Sequence, residues 1–379
     1  MKLPLATVGV LTVAALSLTA CGSESGSTSA SGDLTVRATD SKCTVSATKL
    51  KAGPSTFKVT NEGSKVTEFY VYADGDRIMG EVENVGPGLT RNLVVDLPKG
   101  TYEGACKPGM VGDGIRQTLT VSGEAAKKLS DSEELTAAAD SYARYVKSQS
   151  DTLIVKTTEF VDAVKAGKVD KAKKLYPVAR TYWERIEPVA EKFGDLDPIT
   201  DGREPDAKAE GVDFTGWHRI EKQLWVAGNT DGMDVYADQL LDNVKKIVAL
   251  GQDAPLTALE LAQGSKGLLD EVATGKITGE EDEFSHTDLW DFKANIEGSQ
   301  AAIAALRPVL EKREPELVAQ LDAQFATVDK ELNQHQDTST GEWTSYDKLT
   351  KDQVKALSDA VAALGEPISK VAAVVASAA

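Results

Sequence analysis

The sequence predicts two domains of different class, an all-β sandwich at residues 33–122 and an all-α helical bundle at residues 123–379. Three observations point there. From Leu34 to Val121, Val, Thr, Phe and Tyr alternate with polar residues, as in Thr56-Phe57-Lys58-Val59-Thr60 and Glu68-Phe69-Tyr70-Val71-Tyr72, which is the period of half-buried strands. Turn residues separate these runs at Ala52-Gly53-Pro54, Asn61-Glu62-Gly63, Ala73-Asp74-Gly75, Gly86-Pro87-Gly88 and Pro98-Lys99-Gly100. After Gly123 the composition shifts to Lys, Glu and Ala, with apolar residues at helical spacing.

The start of the chain sets the compartment. Lys2 precedes a mostly apolar run from Leu3 to Ala20 that ends in Leu18-Thr19-Ala20-Cys21, so residues 1–20 read as a secretory signal. The Leu-Thr-Ala-Cys ending resembles the bacterial lipobox, in which the cysteine, here Cys21, becomes the lipidated first residue. Residues 21–32, rich in Gly and Ser, read as a lipidated flexible tether. Nothing later approaches the roughly 20 apolar residues of a membrane helix. The expected location is the outer side of the cytoplasmic membrane, lipid-anchored, or the periplasm. Cys43 and Cys106 remain; in an oxidising compartment they form a disulfide or serve as paired metal thiolates.

In the second domain, Ser130-Asp131-Ser132-Glu133-Glu134 offers N-caps with acids in the first turn. Tyr142, Val146, Ile154, Val161 and Val164 carry a first helix to Gly167. A second pattern covers Val169 to Phe193, with Pro177 and Pro188 imposing kinks or breaks. Residues 194–205 read as a loop, and later helices are expected at about 232–250, 255–274, 287–312, 314–334 and 351–377. Bundles of this kind turn carboxylates and histidines toward a shared interior.

Composition narrows the function. The 42 Lys+Arg against 59 Asp+Glu give a net charge of −17, which argues against a nucleic-acid partner and suits cations or basic partners. One of three histidines lies in Gly216-Trp217-His218-Arg219-Ile220-Glu221-Lys222. On a helix three residues turn through about 300°, so His218 and Glu221 project from nearly one face and suit a borderline divalent metal. Two further clusters stand beside it. In Tyr182-Trp183-Glu184-Arg185-Ile186-Glu187-Pro188, Glu184 and Glu187 are metal candidates or salt-bridge partners of Arg180 or Arg185. In Glu280 to Phe292, Asp288 and Asp291 are metal candidates or helix caps. His335, among polar residues, reads as a surface side chain.

Two segments of the β domain, Asn61 to Tyr72 and Lys99 to Met110, resemble the ligand-bearing strand and loop of cupredoxins. Yet the domain holds no histidine, and a blue-copper site needs two around its cysteine. What remains is Cys43, Glu68 and Cys106, with Glu103 or Met110, as a set for copper or ferric iron. The order of the clusters, with Ser285-His286-Thr287-Asp288-Leu289-Trp290-Asp291-Phe292, Asn295, Glu297 and Gly298 as the third, resembles the EfeO-type family of bacterial iron-uptake lipoproteins. These join a cupredoxin-like domain to an imelysin-like one. The resemblance implies iron, ferrous or ferric, at His218 and Glu221 with Glu184 as third ligand, and copper or ferric iron at Cys43, Cys106 and Glu68. It also implies a membrane iron permease and an exported haem peroxidase as partners. The expected function is capture of iron and its passage to the permease. Two alternatives are a metal-dependent peptidase of the imelysin type and copper-assisted oxidation of ferrous iron. Zinc peptidases commonly carry His-Glu-x-x-His, which this chain lacks.

Overall fold

The structure is a computed structural model that describes residues 30–74, 78–123, 132–193, 196–253 and 255–378. The expected signal peptide, Cys21 and the tether as far as residue 29 lie outside the described residues, while residues 30–32 already belong to the first strand.

The first domain contains β1 (Ala30–Ala38), β2 (Cys43–Val45), β3 (Lys49–Asn61), β4 (Thr67–Tyr72), β5 (Ile78–Val85), β6 (Thr90–Leu97), β7 (Gly100–Pro108) and β8 (Ile115–Ser122). Hydrogen bonding runs in the order β2-β1-β3-β8-β7-β4-β5, with β6 joined to β3. Lys49–Lys51 of β3 pair with β8, whereas Gly53–Thr60 pair with β6, so one strand serves both layers. The turn expected at Ala52-Gly53-Pro54 is therefore a bend inside a continuous strand. Gly53, at φ 118°, supplies a dihedral that other residues avoid.

Leu50, Phe57, Val59, Phe69, Val71, Leu97 and Leu119 fill the space between the layers. Cys43 and Cys106 are bonded to each other, tying β2 to β7 across 63 residues of sequence. The bond consumes both thiolates that a metal would need. Alternation along β4 separates the third member of that expected set. Phe69 pairs opposite Cys106 and enters the core, so Glu68, opposite Lys107, lies on the reverse face with Tyr70 and Tyr72. Glu68 is nonetheless buried, at 5% exposure. Burial and the neighbouring Glu83 push its carboxyl up to about 7, against the pull of Lys107. Met110 is exposed, and Glu103 pairs with Arg116 at 3.0 Å.

The helical domain contains α1 (Glu133–Lys165), α2 (Val169–Glu184), α3 (Leu196–Asp201), α4 (Glu204–Glu210), α5 (Gly216–Lys222), α6 (Asp234–Asp253), α7 (Ala258–Thr274), α8 (Asp288–Arg313), α9 (Pro315–Asn333), α10 (Lys351–Ile368) and α11 (Val371–Ala376). Ser132 caps α1 by accepting from the Leu135 N–H, with Glu133 and Glu134 in the first turn. Capping boxes Thr257/Glu260 and Thr350/Gln353 open α7 and α10. The second helical pattern stops at Glu184, and Pro188 lies in a 3-10 segment, Glu187–Phe193. The expected loop over 194–205 holds α3 and the start of α4. Pro205 in the first turn of α4, with Glu204 and Asp206, is a helix start that reads as a loop in composition alone.

Helix α1 packs on α2, α6 and α8, and α7 packs on α8 and α10. Tyr142, Phe160, Tyr176, Trp183, Trp217 and Phe292 are buried in their common core. His335 is also buried, at 8% exposure, which corrects the surface expectation. The chain folds back over it through the Gln336–Trp343 bridge and the Thr344 N–H donated to its carbonyl, a tertiary cover that local polarity does not reveal. The two domains touch where Val94 of β6 joins the helical core and Gln263 on α7 donates to the Val94 carbonyl at 2.6 Å. No helix among the described residues is long and apolar enough to cross a membrane.

Candidate metal centre

Four helices and one connecting segment meet in the interior of the helical domain. Helix α2 places Tyr176, Arg180 and Glu184 at i,i+4 spacing on one buried face. Helix α5 supplies His218 and Glu221, whose Nδ1 and Oε2 lie 2.9 Å apart, as their spacing predicts. It passes into a π-turn, Gln223–Ala227, ended by Gly228 at φ 70°. Gly216, at φ 75°, lies so close to Thr200 that an added Cβ would fall 2.0 Å from the Thr200 carbonyl oxygen. That close approach sets Asp201, the last residue of α3, beside His218. Helix α8 turns Asp288, Asp291 and Asn295 inward, and the segment before it contributes Lys276, Glu281 and Asp282.

Three sets of these side chains have ligand atoms within 4.8 Å of one another: Asp201, His218 and Glu281; His218, Glu221 and Asp282; and Glu184, Glu281 and Asp291. The fixed cations distinguish them. Arg180 is fully buried and contacts Glu184, Asp201, Glu281, Asp282 and Asp291. Lys276 Nζ lies 2.8 Å from Glu184 and 2.9 Å from Glu187, with Asn295 also donating to both carboxylates. The set around Glu184 is thus already occupied by protein cations, and Asp201 and Glu281 share their inward oxygens with Arg180. The His218, Glu221 and Asp282 set is least encumbered. Glu221 Oε1 accepts from the Phe284 and Ser285 N–H groups at 3.0 and 2.7 Å, leaving Oε2 toward His218. Asp282 Oδ2 accepts from Thr287, leaving Oδ1, 4.0 Å from His218 Nδ1, to take the Tyr176 hydroxyl at 2.9 Å. Each carboxylate is anchored through one oxygen by uncharged donors and turns the other inward, Asp282 Oδ1 with Arg180 Nε 3.6 Å away. His218 Nε2 faces Asp201 at 3.4 Å, a charge contact without hydrogen-bond geometry, on the far side of the ring. Asp201 thus faces the ring nitrogen opposite the one turned toward Glu221, the side from which carboxylates orient histidines at metal sites.

Buried acids outnumber buried cations around this pocket. Burial and Arg180 push His218 down, but Asp201 and Glu221 outweigh them and hold its pKa at about 10. Burial pushes Asp282 up to about 6 and Asp288 up to about 8, each reinforced by a neighbouring carboxylate. Burial also pushes Glu184 up, yet Lys276 and Arg180 bring it below the ordinary range. Too many acids share too few cations for all to ionise together, so an arriving metal replaces protons.

Of the residues singled out in the sequence, His218 and Glu221 stand together at the centre. Glu184 lies one contact away, across Arg180. Glu187 pairs with Lys276, and Asp288 accepts from the Asp282 N–H at 3.2 Å; neither belongs to the three convergent sets. Asp201, Glu281, Asp282, Lys276 and Tyr176 are not among the site residues expected from the sequence, and Arg180, expected there only as a salt-bridge partner, does pair with Glu184. For Tyr176 and Arg180 the i,i+4 stripe ending at Glu184 was the available signal. For Glu281 and Asp282 only the acid run was visible, and it does not say which two of four acids turn inward.

Fold and site together define a class, a cupredoxin-like domain leading an imelysin domain. The imelysin family model matches residues 138–371, and the cupredoxin-like domain model matches residues 10–121. Similar chains are the iron uptake system component EfeO of Escherichia coli O1:K1, of Escherichia coli strain K12 and of Shigella flexneri. Each is 39% identical over 340 residues, which span 88% of this chain and 89% of the relative. The chain belongs to the EfeO family.

Proposed function

We propose that this protein captures iron outside the cytoplasm at His218, Glu221 and Asp282 and passes it to a membrane permease. The observation that carries the reading is the convergence of His218 Nδ1, Glu221 Oε2 and Asp282 Oδ1, with the outer oxygen of each carboxylate anchored by uncharged donors. Ligand atoms about 2.1 Å from an ion stand about 3 Å apart when adjacent, and the 2.9 and 4.0 Å separations bracket that value. The family name, iron uptake system component, supplies the cargo. An exported haem peroxidase as second partner and anchoring through Cys21 belong to the same reading, as does the −17 charge, which favours cation approach.

Peptide hydrolysis is less well supported. Its general base would be Glu221, which already accepts two backbone N–H groups and faces His218. Copper chemistry in the β domain lacks donors, since the two sulfurs are bonded and Glu68 faces away. Calorimetric titration of the mature chain with ferrous, ferric, cupric and zinc ions tests the assignment. Iron binding is expected in the native chain and its loss when His218→Ala and Glu221→Ala are combined; undiminished binding in that variant rules out the site.

A further inference from the structure

The geometry points to Tyr176 as a fourth ligand that binds as phenolate and fits this site to ferric iron. The inference rests on the His218 site proposed above and adds the oxidation state of its cargo. Tyr176 is fully buried on α2, in contact with the rings of Phe160, Trp217 and Trp225. Its hydroxyl leaves this apolar surround at one point, 2.9 Å from Asp282 Oδ1 and 3.3 Å from His218 Nδ1. These are two of the three atoms that would hold the ion, so the phenolic oxygen stands at the same locus. A structural tyrosine needs one hydrogen bond to be satisfied; this one is aimed between two ligand atoms.

The donor set then becomes one imidazole, two carboxylates and one phenolate, hard oxygen donors that favour a hard trivalent cation. Charge follows the same line. Glu221, Asp282 and ionised Tyr176 supply three negative charges against the three positive charges of ferric iron. With ferrous iron the two carboxylates suffice, and the hydroxyl keeps its proton and its bond to Asp282. Coordination breaks the Tyr176 O–H bond and forms an O–Fe bond; the proton leaves to the buffer, and no electron moves because the iron enters already oxidised.

A ferric phenolate absorbs in the visible by charge transfer from ligand to metal, whereas carboxylate and imidazole donors do not colour the ion in that way. Ferric citrate added to the full mature chain is therefore expected to give a red to purple band with phenolate vibrations in resonance Raman spectra. Ferrous iron added without oxygen is expected to give none. Tyr176→Phe keeps the ring packing; it should still bind ferric iron in equilibrium dialysis, roughly tenfold or more weakly by analogy with lost outer-shell partners, and without the band. Ferric iron bound by the native chain without colour overturns the role of Tyr176 and leaves the His218 site standing. A band that survives in Tyr176→Phe also overturns it, because another tyrosine then supplies the phenolate. A native chain that binds ferrous but not ferric iron overturns the inference and leaves the His218 site standing, whereas iron binding unchanged in the combined His218→Ala and Glu221→Ala variant overturns both readings.

Discussion

Arg180→Met is expected to destabilise the helical domain by about 3–5 kcal/mol at neutral pH, the usual cost of removing one partner from a buried ionic cluster. The guanidinium is fully buried and contacts five carboxylates, so its loss strands several charges at once. The sign with pH is fixed by Asp201, which burial pushes up and Arg180 brings well below the ordinary carboxylate range. In the native chain this stabilisation is present above the unfolded carboxylate value of about 4 and is lost as pH falls through the folded value. Without Arg180 only His218 still opposes burial, so the folded value rises and the variant loses less stability than the native chain as pH falls. Thermal or urea unfolding from pH 7 to pH 4 should show the gap between native chain and variant narrowing. A constant gap would mean that Arg180 acts through packing and not through charge.

Gly216→Ala is the second change with a large expected effect. Position 216 has φ 75°, and the new Cβ would meet the Thr200 carbonyl oxygen at 2.0 Å. The left-handed backbone alone costs roughly 1–2 kcal/mol for a residue with a side chain, and the contact must be relieved besides. A total on the order of 3 kcal/mol is expected. Relief moves α3 away from α5, and with it Asp201 from His218, so iron affinity should fall together with stability. Retention of native iron affinity would show that Asp201 does not orient His218.

Much of the architecture was legible because it rests on local chemistry. Alternation gave the strands, and Ser132, Thr257 and Thr350 mark helix starts that hydrogen bonds then realise. His218 and Glu221 were legible as a pair because helical spacing alone brings them together. The remaining ligand set was not, because it depends on packing between segments distant in sequence. Asp282 reaches His218 from 64 residues away only after α8 docks against α2, and Asp201 arrives only because Gly216 has no side chain. Glu68 shows the opposite limit. Its neighbour Phe69 pairs with Cys106, yet one step along a strand reverses the face, and a residue adjacent in sequence becomes remote in space.

The depth of the centre has a consequence for timing. His218, Glu221 and Asp282 are at most 2% exposed, so no chelator can touch an ion held by them while the chain is closed. Exchange then waits on a local opening of the protein, and affinity and residence time become separate quantities. Removal of iron by an excess of chelator should reach a limiting rate that further chelator does not raise; a rate that keeps climbing in proportion would mean the ion is met from solvent without any opening.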